Sequence, residues 1–473
     1  MKLARSTAWV LAFFMLVGCL KTHVFAIEGG TDSIPITDTV NSCNTLDATT
    51  TYLGAKNVTD NIGSAIVYEI NSDTLMYTID ADKRVFPSSL TKILTALIAV
   101  EKGNTDDIVK VSQEVLDTVP YYAASAELVA DEEIKLSDLL YCMMVGSAND
   151  AAAVIANHIS GSQEKFVQEM NAYAAKLGCV DTQFVNVHGL HDEQQYSTTR
   201  DLAKILAAAV KNEAFLPFFS AVHYDVPATN KSELRDLASG NFLMNTDNMQ
   251  IYYDDRVKGG RTGVTDDGLH CLATMAEQGN MKLIAIVTGS KSTLAEDGRT
   301  LAYGSFKETS SLLDAAFSGY HVVQILYENQ ALKQIEVHNG ENDVILGALE
   351  SSYAVLPESV MISDLSYRFT DNVTSLSAPI SLGQVLSNVE IWYASLCIGK
   401  SDLVAMNTVR VKMQQQTDDV DEDTGEANVS TIVILSVLCV ALVVLLIRYS
   451  GKLKSLIMKK RTNAYRNDRR RSR

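Results

Sequence analysis

Ser89-Leu-Thr-Lys92 concentrates the most reactive chemistry of this 473-residue chain into four positions. A serine hydroxyl is a weak nucleophile and needs a base to take its proton. A lysine amine can be that base only when burial or a neighbouring cation lowers its pKa. On a helix the i, i+3 spacing brings the Ser89 hydroxyl and the Lys92 amine to one face. The start of such a helix also supplies free backbone N–H groups and a positive dipole end, where an oxyanion could develop. Alone the pattern is weak, because Ser162-Gln-Glu-Lys165 repeats it and Ser162 reads there as an ordinary N-cap.

Two further groupings add to it. Ser147-Ala-Asn149 follows the apolar stretch 139–145 and could present a second hydroxyl and an amide to a substrate; a helix cap is the alternative. Arg261-Thr-Gly263, after Val257-Lys-Gly-Gly260, puts a cation, a hydroxyl and a side-chain-free position on a strand. The missing side chain of Gly263 would let a ligand lie against the backbone, and a strand-end turn is the alternative. His188 and His191 lie in a turn string with no further His at ligand spacing, so they read as structural rather than as a metal site.

Holding these groups requires a scaffold whose pieces are visible in the hydrophobic pattern. Segments 64–70 and 75–79 flank Asn71-Ser-Asp-Thr74 as a strand–turn–strand unit. Pro87 precedes an apolar helix over 88–102, closed by Gly103. Helical periodicity then covers 136–145, 151–159, 164–177 and 201–210. Strands are expected at 257–260, 269–276 and 282–289, followed by a helix at 307–317. From 320 to 413 short strands with turn residues predict a separate small β domain. The expected plan is an α/β (α+β) domain over 56–319, preceded by a lead-in at 27–55 and followed by the β domain.

The two ends read as membrane-directed. Lys2 and Arg5, the apolar stretch 8–20 and Val24-Phe25-Ala26 make residues 1–26 a signal peptide. Leu16-Val17-Gly18-Cys19 offers the alternative of a lipoprotein site at Cys19. An acidic linker at 414–428 leads to an uncharged run at 429–447, about 28 Å long as a helix and matched to a bilayer core. The tail 448–473 is rich in Lys and Arg with Asp468 as its single acid, which places it in the cytoplasm and residues 27–428 outside.

The chain carries 40 Lys+Arg against 57 Asp+Glu, a net charge of −17. With its basic ends set aside, the exported region is more acidic still, which excludes nucleic acid as a partner. A 47% hydrophobic and 21% charged composition excludes a disordered polyelectrolyte. Of 7 Cys, Cys19 and Cys439 lie in the apolar ends, so one disulfide among the others is possible but not assignable.

The order Ser-x-x-Lys, Ser-x-Asn, cation-Thr-Gly resembles the penicillin-recognising serine enzymes. The stretches Arg84-Val-Phe-Pro-Ser-Ser-Leu-Thr-Lys-Ile-Leu-Thr-Ala-Leu, Gly146-Ser-Ala-Asn-Asp-Ala-Ala, Thr182-Gln-Phe-Val-Asn-Val-His-Gly-Leu and Ser197-Thr-Thr-Arg-Asp-Leu-Ala narrow the likeness. They resemble the serine-type D-alanyl-D-alanine carboxypeptidases, low-molecular-mass penicillin-binding proteins of peptidase family S11. The resemblance covers roughly residues 50–320. It continues more weakly through Ala378-Pro-Ile-Ser-Leu-Gly-Gln384, similar to the family's C-terminal β domain.

This resemblance implies a β-lactamase-like catalytic domain, a small all-β domain, a C-terminal transmembrane helix and no cofactor. It makes Ser89 the nucleophile, Lys92 its base and Ser147 a proton relay, with Asn149 holding a substrate amide or Lys92. Thr262 and Gly263 would line the substrate strand, and backbone N–H groups of Ser89 and Val264 would form the oxyanion hole. Arg200 matches a family arginine near the site, and Arg299 one that recognises a terminal carboxylate; buried structural pairing is the alternative for both. Arg261 stands where the family usually has Lys, so it keeps the charge but cannot shuttle a proton. The implied reaction removes terminal D-alanine from peptidoglycan pentapeptides through an acyl-enzyme that β-lactams trap. A β-lactamase or a D,D-transpeptidase on the same fold, or a non-catalytic wall-binding protein, are the alternatives. Against the first, Glu164 and Glu169 lie in a helical stretch without the context of a deacylating Glu.

Overall fold

Alternation along the first strand divides the catalytic domain into two cores. β1 (Ser64–Glu69) and β2 (Thr74–Ile79) form the expected hairpin, and β1 is buried along its whole length. Successive side chains of a strand point to opposite faces. Ile66 and Tyr68 therefore enter one apolar cluster, whereas Ala65 and Val67 enter another. The same division recurs on the strand that pairs with β1, where Ile284 and Ile286 face one way and Leu283, Ala285 and Val287 the other. A sheet covered on both faces explains why these segments read as continuous apolar runs.

The computed structural model describes residues 46, 61–247, 250–294, 301–370 and 375–413. The signal peptide, the Cys19 alternative, the lead-in apart from Leu46, Arg299, the acidic linker, the span at 429–447 and the basic tail lie outside these residues. Among the described residues no helix is long and apolar enough to cross a membrane.

Three later strands complete the sheet: β3 (Val257–Val264), β4 (His270–Gln278) and β5 (Met281–Ser290). The order is β2-β1-β5-β4-β3, antiparallel throughout, so β3 is an edge strand. Helices cover both faces. On one lie α1 (Thr91–Lys102), α2 (Leu136–Met144), α3 (Asn149–Ser160), α4 (Gln163–Lys176) and α5 (Thr199–Val210). On the other lies α6 (Gly304–Gly319), through Leu312, Leu313, Ala316 and Phe317.

α1 is central, buried from Thr91 to Ala99. Gly103 closes it as expected, but for want of space rather than for handedness. Its φ is −93°, while a Cβ there would lie 2.6 Å from Ile159 Cδ1 and 2.9 Å from the Ala99 carbonyl. Ser162 caps α4 by accepting from Lys165 N–H, so its Ser-x-x-Lys match is a cap.

Tyr320 opens the β domain directly after α6. β6 (Tyr320–Leu326) pairs with β9 (Ser352–Pro357). β7 (Ala331–Ile335), β8 (Val344–Ala348), β10 (Ser366–Phe369), β11 (Val385–Tyr393) and β12 (Leu396–Ala405) form a sheet of order β7-β8-β12-β11-β10. It has its own core around Leu346, Val389, Ile391 and Leu403, yet Val355 packs into the catalytic domain's second cluster. No disulfide joins Cys142, Cys179, Cys271 and Cys397 to one another, and Cys43 lies outside the described residues.

Leu97 is fully buried on α1. Leu97→Ala is expected to cost about 2–5 kcal/mol of stability through the cavity it leaves, read as a lower denaturant midpoint.

Candidate active site

Pro87 leads into a short 3-10 turn, Ser88–Leu90, which runs straight into α1. That junction puts Ser89 at the mouth and Lys92 inside, one helical turn further on. Lys92 has no exposed surface. Its Nζ donates to Ser89 Oγ at 3.2 Å, to Asn149 Oδ1 at 2.8 Å and to the His188 carbonyl at 2.6 Å. Burial, and then the positive Arg261 guanidinium, hold its pKa well below the ordinary lysine value, with Asp150 opposing. An amine of that kind can be neutral in water's normal pH range and still sit within reach of a hydroxyl.

Asn149 is the first residue of α3. Its Nδ2 donates to the Ala124 carbonyl at 2.9 Å, and its own N–H reaches the same oxygen at 2.8 Å. With the amide nitrogen so engaged, Oδ1 turns to Lys92. Ser147 precedes the helix at φ 61°, a left-handed conformation that kinks the loop inward. Its Oγ lies 3.4 Å from Ser89 Oγ.

Arg261 projects from β3 and is 4% exposed. It donates to Ser147 Oγ, to the Met144 carbonyl at 2.9 Å and to the Ser89 carbonyl at 3.4 Å. Burial lowers its pKa to about 10, which still leaves it charged at neutral pH. Three elements therefore meet on Ser89: its own helix, the loop before α3 and the edge strand.

The edge of β3 is unpaired beside Ser89. Thr265 N–H donates to the Leu269 carbonyl, so the alternation of an antiparallel ladder turns the N–H and C=O of Val264 to the free side. Thr262 and Gly263 line the same cleft. Gly263 also answers to a local steric demand. A Cβ there would lie 3.1 Å from Ser88 Oγ and from the Ser89 nitrogen. The glycine therefore makes room for the helix start as well as lining the cleft.

Sequence reasoning missed the part of His188 that matters, because it is the backbone carbonyl. No side-chain pattern marks such a group. The turn is fixed by Gly189 at φ 88° and by Thr95 Oγ1, which donates to the Val187 carbonyl at 2.6 Å. The imidazole itself is buried, accepts from Leu190 N–H, and has its pKa lowered to about 3 by burial and then by Lys92. It stays neutral, as a structural residue would. Asp150 was also missed: it accepts from Ser125 Oγ and from Ala126 and Leu128 N–H, pinning the loop that carries Ala124.

Arg200 does not join this group. Its Nε and Nη2 form a two-point pair with Asp82 at 2.6 and 3.0 Å, and it also donates to the Leu46 carbonyl. It is absent from the lining of the cleft, so the structural alternative describes its contacts. Glu164 and Glu169 are on α4 and line no part of the cleft either. The cleft encloses about 350 Å³, with Phe86, Tyr122, His191 and Asp192 at its margins around Ser89, Ser147 and Asn149.

Comparison with known proteins agrees with this geometry. Residues 53–292 match the family model described as D-alanyl-D-alanine carboxypeptidase, and residues 320–411 match the C-terminal domain of penicillin-binding protein 5. The carboxypeptidase DacF of Bacillus subtilis is 28% identical over 358 residues, covering 73% of this chain and 85% of its own length. DacC of Escherichia coli is 28% identical over 353 residues, covering 73% and 83%. Penicillin-binding protein 5 of Haemophilus influenzae superposes with a TM-score of 0.62 at 26% identity, covering 76% of this chain and 100% of that one. The catalytic match spans half of the chain and contains the Ser89, Ser147 and Arg261 groupings, and on that ground the chain belongs to the D-alanyl-D-alanine carboxypeptidase family, peptidase S11.

Proposed function

We propose that this protein is a serine D-alanyl-D-alanine carboxypeptidase that removes the terminal D-alanine of peptidoglycan stem peptides. The observation that carries the reading is the fully buried Lys92 amine, 3.2 Å from Ser89 Oγ and with a strongly lowered pKa. Neutral Lys92 takes the Ser89 proton as the oxygen attacks the carbonyl before the terminal D-alanine. The N–H groups of Ser89 and Val264 receive the developing oxyanion, each worth about 3–4 kcal/mol in the transition state. Ser147, adjacent to Ser89 and held by Arg261, passes the proton to the departing amine. Water then attacks the acyl-enzyme with Lys92 again as base, releasing the shortened peptide and restoring Ser89.

Asn149 serves by orienting Lys92, since its amide nitrogen is already engaged by Ala124. Thr262 flanks the bound peptide along β3, and Arg261 acts as a fixed cation. Arg299 is the group we assign to the substrate's carboxylate, on the strength of the sequence resemblance. A β-lactam acylates the same serine, and its leaving group stays tethered in the cleft. The absence of Glu164 and Glu169 from the cleft favours a carboxypeptidase over a β-lactamase. The reading extends to an exported enzyme held by a span at 429–447, with a cytoplasmic tail, on the strength of the sequence pattern.

Intact-mass measurement after penicillin treatment is expected to show one adduct, absent from Ser89→Ala, alongside D-alanine release from a pentapeptide by the wild type. An adduct surviving in Ser89→Ala would remove the nucleophile assignment.

The acylation rate should rise with pH, because only neutral Lys92 is competent, and its ascending limb should centre well below the ordinary lysine value of 10.5. Arg261→Gln removes a cation that disfavours protonated Lys92, so the limb should move to higher pH and most acylation at neutral pH should be lost. Arg261→Lys should stay active. A Gln variant acylating at the wild-type rate would show that the fixed charge is dispensable.

A further inference from the structure

Ser88 precedes the nucleophile, and nothing in the reaction above calls for a hydroxyl at that position. It is nevertheless held in an unusual way. Its φ is 48°, a region that L-residues other than Asn and Asp seldom adopt. Two glycines on separate segments clear its surroundings. A Cβ on Gly189 would lie 1.8 Å from the Ser88 carbonyl oxygen, and one on Gly263 would lie 3.1 Å from Ser88 Oγ. In the space so made, the Ser88 hydroxyl donates to the Val264 carbonyl at 2.7 Å.

That bond crosses the gap that matters for the oxyanion. The peptide planes on either side of Val264 are set by the ladder to β4, through Gly263 opposite Cys271 and through Thr265 N–H on Leu269. The ladder does not set the distance between the strand edge and the turn bearing Ser89. The two N–H groups assigned to the oxyanion belong to Ser89 on the turn and Val264 on the strand, one on each side of that distance. A hydroxyl group that grips the one residue from the neighbour of the other fixes their spacing.

We propose that Ser88 is a positioning residue, whose hydroxyl ties Val264 to the turn carrying Ser89 and so sets the spacing of the two oxyanion N–H groups. The inference rests on the carboxypeptidase reading of Ser89 and deepens it. Misplacing a reacting group by about 1 Å can cost about a hundredfold in rate, and loosening one tether among several contacts should cost about tenfold.

The test uses the full chain with Ser88→Cys and Ser88→Gly. Cysteine keeps the shape but offers only a weak donor, and glycine accepts the positive φ while removing the hydroxyl. Acylation by a fluorescent penicillin is resolved into a saturation constant and a limiting rate, with melting temperatures measured in parallel. The expected result is a limiting rate about tenfold lower in both variants, more so in Ser88→Gly, with the saturation constant and melting temperature close to wild type. Limiting rates equal to wild type, or rates that fall only in step with lost folded protein, would overturn the tether and leave the reading of Ser89 standing. A wild type that takes no label on Ser89 would overturn both.

Discussion

An amine without water is the constraint around which this catalytic domain is built. Moving an ammonium group out of water is costly, and a lysine so placed responds by giving up its proton more readily. Lys92 can be held that way only because α1 is buried along most of its length and because three oxygens converge on its tip. Those oxygens come from the turn before α1, from the start of α3 and from the turn at His188. Each of these segments is in turn fixed by contacts of its own, Asn149 by Ala124, the Ala124 loop by Asp150, and the His188 turn by Thr95 and Gly189.

The opposing influences on Lys92 explain the choice of its neighbours. Asp150 would favour the protonated form and Arg261 the neutral one. Asp150 is occupied by three donors from the 125–128 loop, while Arg261 points its guanidinium at the Ser147 hydroxyl and the carbonyls of Met144 and Ser89. An arginine in this position supplies charge without acting as a base, so in the proposed reaction proton transfer falls to Lys92 and the two serines.

Much of this was legible in the chain, for definite physical reasons. Side-chain nucleophiles and bases advertise themselves by type and spacing, so Ser89, Lys92, Ser147, Asn149 and Arg261 could be gathered before any geometry was known, and they do meet. The strands of the central sheet were readable because burial on both faces leaves long apolar runs. Backbone groups carry no such mark, which hid the His188 carbonyl. The steric reason for Gly263 was hidden too, since a sequence shows that a side chain is missing and not which neighbour lies against the space. Arg200 was drawn to the site by its local motif, whereas its partner Asp82 stands 118 positions away, a separation that no motif spans.

The junction at Tyr320 carries a consequence for how the enzyme reaches its substrate. A flexible linker lets a domain sample a volume that grows with linker length. Here α6 ends at Gly319 and β6 begins at the next residue, while Val355 of the β domain is a member of the catalytic domain's apolar core. No free linker therefore separates the two domains, and they share one apolar cluster. The reach of the cleft is then governed by what holds the β domain rather than by the length of a tether between the two.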